Sequence, residues 1–199
     1  MIDPATGIEQ LRVALAQRFY FKDQDVTLPG VPARTGTSSD ILAGLSGRIA
    51  PNVIADVGIQ YNREFDETRR MAVGVRYQPE FGKVLNVGYR MTRGVFENVD
   101  VSAQWPIAAG WSGGGRVNYS VRDRRIAEGL AGLEYNGGCW VVRMVMYNVA
   151  VGTGDSSSSF YVQLELNGVG RVGSNPLEVL RRNIAGYTKI NEPQGEVLP

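Results

Sequence analysis

Met71-Ala72-Val73-Gly74-Val75-Arg76-Tyr77-Gln78 and, shortly after, Leu85-Asn86-Val87-Gly88-Tyr89-Arg90-Met91 decide how this chain folds. In both runs every second residue is apolar, and Arg76, Asn86 and Arg90 stand between them. A period of two is that of a strand; a helix repeats near 3.6. The same split recurs outward along the chain. Val53, Ala55, Val57, Ile59 and Tyr61 alternate with Asp56 and Gln60, and Leu11, Val13, Leu15, Phe19 and Phe21 stand against Arg12 and Arg18. Near the other end Phe160, Val162, Leu164 and Leu166 alternate with Gln163, Glu165 and Asn167. One face of each strand is free of charge and the other is wet.

The alternation predicts ten strands, at 9–22, 39–49, 52–62, 69–78, 82–92, 98–105, 110–121, 127–136, 140–149 and 159–168. Long connections (22–37, 62–68, 92–97, 122–126, 149–158) take turns with short ones (50–52, 79–82, 106–110, 136–138). A soluble sandwich alternates too, but has no reason to keep long and short loops on opposite ends. An outer-membrane barrel does, with short periplasmic turns, longer outer loops and tilted strands of about ten residues. Tyr77, Trp105, Trp111, Tyr135 and Trp140 lie beside the short turns. Tyr61, Tyr89, Tyr119, Phe160, Phe19 and Phe21 lie toward the long loops. Two interfacial girdles would place them so, and so would the general preference of aromatics for strands. The fold class expected is all-β, an antiparallel transmembrane β-barrel segment of about ten strands within a larger barrel. Residues 1–170 then form partial barrel wall and 171–199 a periplasmic tail.

Composition removes other classes. The chain has 199 residues, 25 of them Gly, a formal net charge of +1 and a mean hydropathy of −0.16. No stretch reaches the roughly 18 apolar residues of a spanning helix. The pairs Arg69-Arg70, Arg124-Arg125 and Arg181-Arg182 are too short for a nucleic-acid footprint, so no nucleic acid is expected as a partner. With no histidine, Ser-His-Asp and Cys-His nucleophile systems and His-rich zinc motifs are unavailable. One cysteine, Cys139, cannot build a thiolate metal site. Asp23/Asp25 and Asp66/Glu67 fall in expected loops and read as solvated charge. Gly113-Gly114-Gly115 lies within a strand, where it cannot cradle a phosphate as a strand-to-helix turn does. No enzyme, no catalytic residue, no metal and no cofactor is expected.

The wet face has its own pattern. Arg12, Arg18, Arg48, Arg76, Arg90, Arg116 and Arg143 fall on it together with Asp56, Asp100, Glu134 and Glu165 as available partners. Arg76, Arg90, Arg116, Arg143 and Glu134 are the expected lumen-facing groups, lining a polar lumen fit for an amphipathic lipid. Gly58, Gly74, Gly88, Gly114 and Gly132 also fall there; they either let a plug or curved wall approach or serve to bend barrel strands. The opening Met1-Ile2-Asp3-Pro4-Ala5-Thr6-Gly7 has no charged n-region, apolar h-region or cleavage site. An exported barrel needs that address, so the expectation is a later part of a longer chain.

Three segments carry a family resemblance. Leu133-Glu134-Tyr135-Asn136-Gly137-Gly138-Cys139-Trp140, then Phe160-Tyr161-Val162-Gln163-Leu164-Glu165-Leu166-Asn167-Gly168, then Leu180-Arg181-Arg182-Asn183-Ile184-Ala185-Gly186-Tyr187 closely resemble the end of the LptD family of lipopolysaccharide-assembly outer-membrane proteins. Val75-Arg76-Tyr77-Gln78-Pro79 and Ala103-Gln104-Trp105-Pro106-Ile107 look like successive strands of the same barrel. The resemblance implies the last part of a barrel of roughly 26 strands, at the large end of the known range. It implies localisation in the outer membrane and insertion of lipopolysaccharide into the outer leaflet. The implied partners are lipopolysaccharide, membrane lipid, an LptE-like lipoprotein plug and, through an N-terminal domain without counterpart here, the periplasmic lipopolysaccharide bridge proteins. It also implies a lateral gate at the last strand, with Phe160, Val162, Leu164 and Leu166 as lipid-facing wall and Gln163, Glu165 and Asn167 along the exit path.

Two positions depart from the family pattern. Gly138 stands where members often have the first of two cysteines before the Trp, so Cys139 is either half of a long-range disulfide or a plain thiol of a turn. Ala185 stands where the tail often has Pro. The alternatives in function are a passive pore or structural barrel, or a truncated product without function.

Overall fold

The computed structural model describes residues 10–20, 39–63, 65–151 and 155–191. Eleven strands form one antiparallel sheet in which every strand pairs with its neighbours in sequence. They are β1 (Leu11–Ala16), β2 (Ile41–Ala50), β3 (Val53–Asn62), β4 (Glu67–Glu80), β5 (Lys83–Thr92), β6 (Phe96–Ala108), β7 (Trp111–Ser120), β8 (Arg125–Asn136), β9 (Trp140–Val151), β10 (Asp155–Leu166) and β11 (Gly170–Gly173). One helix, α1 (Pro176–Asn183), follows. No helix among the described residues is long and apolar enough to cross a membrane. The sheet is open, with β1 at one edge and the short β11 at the other.

The ten expected strands are present, and the ladder runs further than the alternation. β6 starts at Phe96, so one expected long connection shrinks to 93–95, and the last long connection loses ground to β9, which runs to Val151, and to β10, which starts at Asp155. Asp155-Ser156-Ser157-Ser158-Ser159 is polar on both faces and carries no alternation, yet it pairs with Val151 through Tyr147. Backbone pairing does not need an apolar side chain; burying a face does. β1 is shorter than expected. Past Ala16 the Arg18 N–H donates to the Ser39 hydroxyl at 2.8 Å, and the Ser39 N–H donates to the Arg18 carbonyl at 2.7 Å. A serine side chain thus takes one ladder position. The expected loop at 22–37, with Asp23 and Asp25, and Phe21 lie outside the described residues.

Register fixes the faces. Cross-strand partners run Arg76, Asn86, Ser102, Arg116, Leu130 and Tyr147 on one side, and Val75, Val87, Val101, Val117 on the other. On the second face the large apolar side chains are bare: Val87 is 46% exposed, Val162 43% and Phe160 67%. A contiguous apolar sheet face of this extent needs an apolar partner outside the sheet. Near the short turns this face ends in an aromatic group, Trp111 and Trp140 flanking Tyr135 at centroid distances of 4.8 and 5.2 Å.

The packed core sits on the opposite face. Val84, Leu130 and Val145 of the sheet meet Leu177, Leu180, Ile184 and Tyr187, so the tail supplies the other half of the core.

An arginine placed at Val75 or Val87 should cost about 2–4 kcal/mol in the lipid-embedded protein, the range for a cation at the bilayer midplane. The same arginine at Gly58, on the opposite face between Gly44 and Ala72 and with nothing within 4 Å of an added Cβ, should be nearly neutral. Folding titrations in lipid vesicles check this; equal costs would reverse the assignment of faces. Asn86 is a poor neutral control because its amide donates to Ser102 and to the Ala185 carbonyl at 3.1 and 2.9 Å.

Candidate functional site

Alternation places Glu134, Arg143 and Gln163 on the same face of β8, β9 and β10, and register sets Arg143 directly opposite the other two. The guanidinium is fully buried. Its Nε donates to Glu134 Oε2 at 2.8 Å, and one terminal nitrogen donates to Glu165 Oε2 at 2.6 Å and Gln163 Oε1 at 3.2 Å. The other terminal nitrogen donates to Asn191 Oδ1 at 2.7 Å. The tail completes the set: the Tyr187 hydroxyl donates to Glu134 Oε1 at 2.6 Å and Lys189 Nζ donates to Glu165 Oε1 at 2.6 Å. Two cations face two carboxylates, and each oxygen has a donor. A buried ion pair is tolerable only when its remaining hydrogen-bonding capacity is met in this way. Burial, and then the Glu134 carboxylate, push the Tyr187 phenol up, so it stays protonated and keeps its donor role.

A second cluster lies farther along the same face. Arg116 bridges Asp100 at 2.7 Å and Glu128 at 3.1 Å, and donates to Asn183 Oδ1 of α1 at 2.6 Å. Arg76 donates to Asn86 Oδ1 at 3.0 Å. Gln104 clasps the returning tail by its main chain, donating to the Thr188 carbonyl at 2.7 Å and accepting from the Thr188 N–H at 2.9 Å. The tail therefore crosses from β10 toward β5 and comes back.

Glycine makes the crossing possible. A Cβ on Gly132 would lie 2.8 Å from Leu180 Cδ2, and one on Gly114 would lie 3.1 Å from Ile184 Cδ1. Both glycines lie in the cross-strand row between Gln104 and Val145, and together they form the floor under α1. Gly58, by contrast, has nothing within 4 Å of an added Cβ.

All five residues singled out on the wet face, Arg76, Arg90, Arg116, Arg143 and Glu134, share one face of the sheet. Arg143 and Glu134 touch, and Gln163 and Glu165 join them. Arg90 stands apart and is exposed. Asn167 lies past the end of β10, accepting from Asn191 Nδ2 at 2.6 Å. Phe160, Val162, Leu164 and Leu166 share the bare apolar face. Outside them, β11 pairs with the stretch from Gln163 to Leu166. Cys139 is exposed in the turn between β8 and β9, where its carbonyl accepts from the Asn167 N–H at 2.9 Å. Tyr187, Lys189 and Asn191 were not expected at the site. The spacing of Leu177, Leu180, Ile184 and Tyr187 at three and four residues bears on the packing of Tyr187 alone and carries nothing for Lys189 or Asn191. No group of three or more His, Cys, Asp or Glu among the described residues is placed to hold a metal.

A family model described as LptD, LPS transport system D, matches residues 1–111. LPS-assembly protein LptD of Aromatoleum aromaticum is 49% identical over 193 residues, covering 97% of this chain and 24% of that protein. The protein of the same name from Azoarcus sp. is 44% identical, with 97% and 24% covered. That from Bordetella pertussis is 36% identical, with 96% and 27% covered. The chain spans about a quarter of the length of these relatives.

Replacing Arg143 by Met leaves two buried carboxylates short of a cation and should destabilise the tail-docked state by about 3–5 kcal/mol. Gly132→Val should expel α1 by collision with Leu180. Limited trypsin digestion of the membrane-inserted protein should then cut rapidly at Arg181 and Arg182 in both variants and slowly in the parent. Equal rates would mean that the tail is not held by these contacts.

Proposed function

The chain belongs to the LPS transport system D family, and from that premise we propose that it forms a wall segment of an outer-membrane barrel that inserts lipopolysaccharide into the outer leaflet. The observation that carries the reading is the 49% identity to an LPS-assembly protein LptD over 97% of the chain. The two faces of the sheet agree with it. The bare face of Val75, Val87, Val101 and Val117 suits lipid, and the face of Arg76, Arg90, Arg116, Arg143 and Glu134 suits a water-filled lumen. The partners proposed are lipopolysaccharide, surrounding membrane lipid, an LptE-like lipoprotein plug inside the barrel and, through other parts of the whole protein, the periplasmic bridge proteins. The reading involves no chemical step, because moving an amphiphile between leaflets requires a path and not a nucleophile. A passive pore fits less well, since the tail fills the lumenal side of β5 to β10.

The same reading assigns the tail to the periplasmic end of the lumen and the exit path to the outer edge of β10. β11 occupies that edge from Gln163 to Leu166. A closing strand therefore pairs with the part of β10 nearer Asp155, and the exit seam is short in hydrogen bonds. Cys139, exposed in a short turn and in an oxidising compartment, is proposed to pair with a cysteine elsewhere in the whole protein.

In cells that depend on the gene encoding this segment, its depletion should stop newly made lipopolysaccharide from reaching the surface while other outer-membrane barrels still assemble. Normal surface delivery would overturn the function. In the whole protein, Cys139→Ser should abolish a mobility shift on non-reducing gels; unchanged mobility would remove the disulfide.

A further inference from the structure

The tail after β11 runs across the packed inner face and is fastened to every strand from β10 to β5. On β10 Glu165 accepts from Lys189 Nζ at 2.6 Å, and on β9 Arg143 donates to Asn191 at 2.7 Å. Tyr187 donates to Glu134 of β8, and Asn183 accepts from Arg116 of β7, both at 2.6 Å. Gln104 of β6 holds the Thr188 main chain by its N–H and its carbonyl. Beyond it the Asn86 amide of β5 donates to the Ala185 carbonyl at 2.9 Å. The Gly82 N–H, in the turn before β5, donates to the Thr188 hydroxyl at 3.0 Å. Farther across the same face the surface opens: at Gly58 of β3 an added Cβ would meet nothing within 4 Å.

The twist between neighbouring strands ranges over roughly −10 to −35°, so a ladder alone leaves each joint some freedom. A tail fastened at β5 and at β10 sets the sum of the twists between them. It cannot slip by part of a contact, because Leu180 and Ile184 are fully buried against the sheet and the buried Arg143 depends on Asn191 for an acceptor. Releasing either end strands buried polar groups, so the fastening holds as a whole. β10 is held most closely of all. One edge pairs with β9 from Asp155 to Leu166, and the other is clipped by β11 from Gln163 to Leu166. Next to that clip the Ser174 hydroxyl accepts from the Val162 N–H at 2.8 Å and donates to the Val162 carbonyl at 3.0 Å. The inner face of β10 carries the tail through Gln163, which donates to the Ser174 carbonyl at 3.0 Å, and through Glu165.

We propose that the tail is a strap that makes β5 to β10 one rigid plate, with β10 as the fixed side of the exit seam, so that the seam opens by movement of the strand that closes on β10. The inference rests on the reading above that the seam lies at the outer edge of β10, whereas the plate follows from contacts within this chain. It gives the opening a direction: Phe160 and Val162 stay in place while the path forms beside them.

The test uses the full-length protein with its lipoprotein partner in lipid nanodiscs, with nitroxide pairs measured by double electron–electron resonance. Val87 of β5 and Val162 of β10 lie on the bare apolar face, so labels there leave the strap untouched. Five strand spacings separate them, about 24 Å. The parent should give one narrow distance peak. With the chain ended after Gly173 the peak should spread by about one strand spacing, roughly 5 Å. Gln104→Leu, which frees only the far end of the strap, should spread it less, and it decides alone if the shortened chain does not assemble. Heat-modifiable migration of each variant confirms that the barrel has formed. A Val87–Val162 peak equally narrow in parent and variants would overturn the strap. A Val13–Val87 pair, on the side away from the strap, should be the same in all three proteins; an equal spread there would mean general loosening and would overturn the plate. A third pair joins Val162 to the strand that cysteine crosslinking finds opposite Ser156 and Ser158. It should be broader in the parent than Val87–Val162, and the reverse order would overturn the fixed side. Surface delivery of lipopolysaccharide by the parent is scored separately: delivery without a strap effect removes the strap and leaves the proposed function standing, and a strap effect without delivery does the opposite.

Discussion

Arg143 is the point on which the arrangement of this molecule turns. It sits at the centre of the last wide strands, with Glu134 on one side, Glu165 on the other and Asn191 above it, and no part of it reaches solvent. A charge so placed is stable only if every donor finds an acceptor. The strands provide three of the acceptors and the tail the fourth, so forming the network and docking the tail are one event. The core follows from this: Leu177, Leu180 and Ile184 are buried because the chain after β10 is drawn back over the sheet.

The sheet is thus two-sided in an unusual sense. Its apolar side is bare and its polar side is packed. In a soluble protein the hydrophobic effect puts apolar groups inside and leaves charge to water. Here Val75, Val87 and Val117 are exposed while Arg143, Glu134 and Gln104 are buried. The hydrocarbon environment proposed for the outer side accounts for both facts, since the polar groups then have only the inner side, the tail and each other. Closed pairing of every backbone group is likewise what a lipid environment demands, and the backbone groups left unpaired lie along β1 and along the part of β10 that β11 does not cover.

Much of this was legible in the sequence because alternation of period two is strong wherever one face is apolar. The strands from Val53 to Tyr89 show it plainly. Where both faces are polar, as in Ser156-Ser157-Ser158-Ser159, pairing continues without a signature, and the strand reads as a loop. β11 is four residues with glycine at both ends, too short for any period, and it exists because the edge of β10 offers unpaired backbone groups. The pairings of Arg143 with Glu134 and of Arg116 with Asp100 were among those the face assignment allowed, but choosing between acids needed register, which depends on turns and bulges. α1 was missed for a different reason: eight residues are too few to make a helix by propensity, and this one is stabilised by its contact with Gly114 and Gly132.

The central claim is that lipid lies against one face of the sheet and the tail against the other. Spin-label accessibility in the membrane-inserted whole protein tests it most directly, with single labels along β9 and β10 and on α1, and with oxygen and a water-soluble nickel chelate as relaxing agents. Labels at Val142, Met144, Val162 and Leu164 should be reached by oxygen and shielded from nickel, those at Val141 and Val145 by neither, and those at Leu180 and Ile184 should match the latter. Oxygen reaching both parities equally, or reaching the Leu180 and Ile184 labels as it does Val162, would contradict the account.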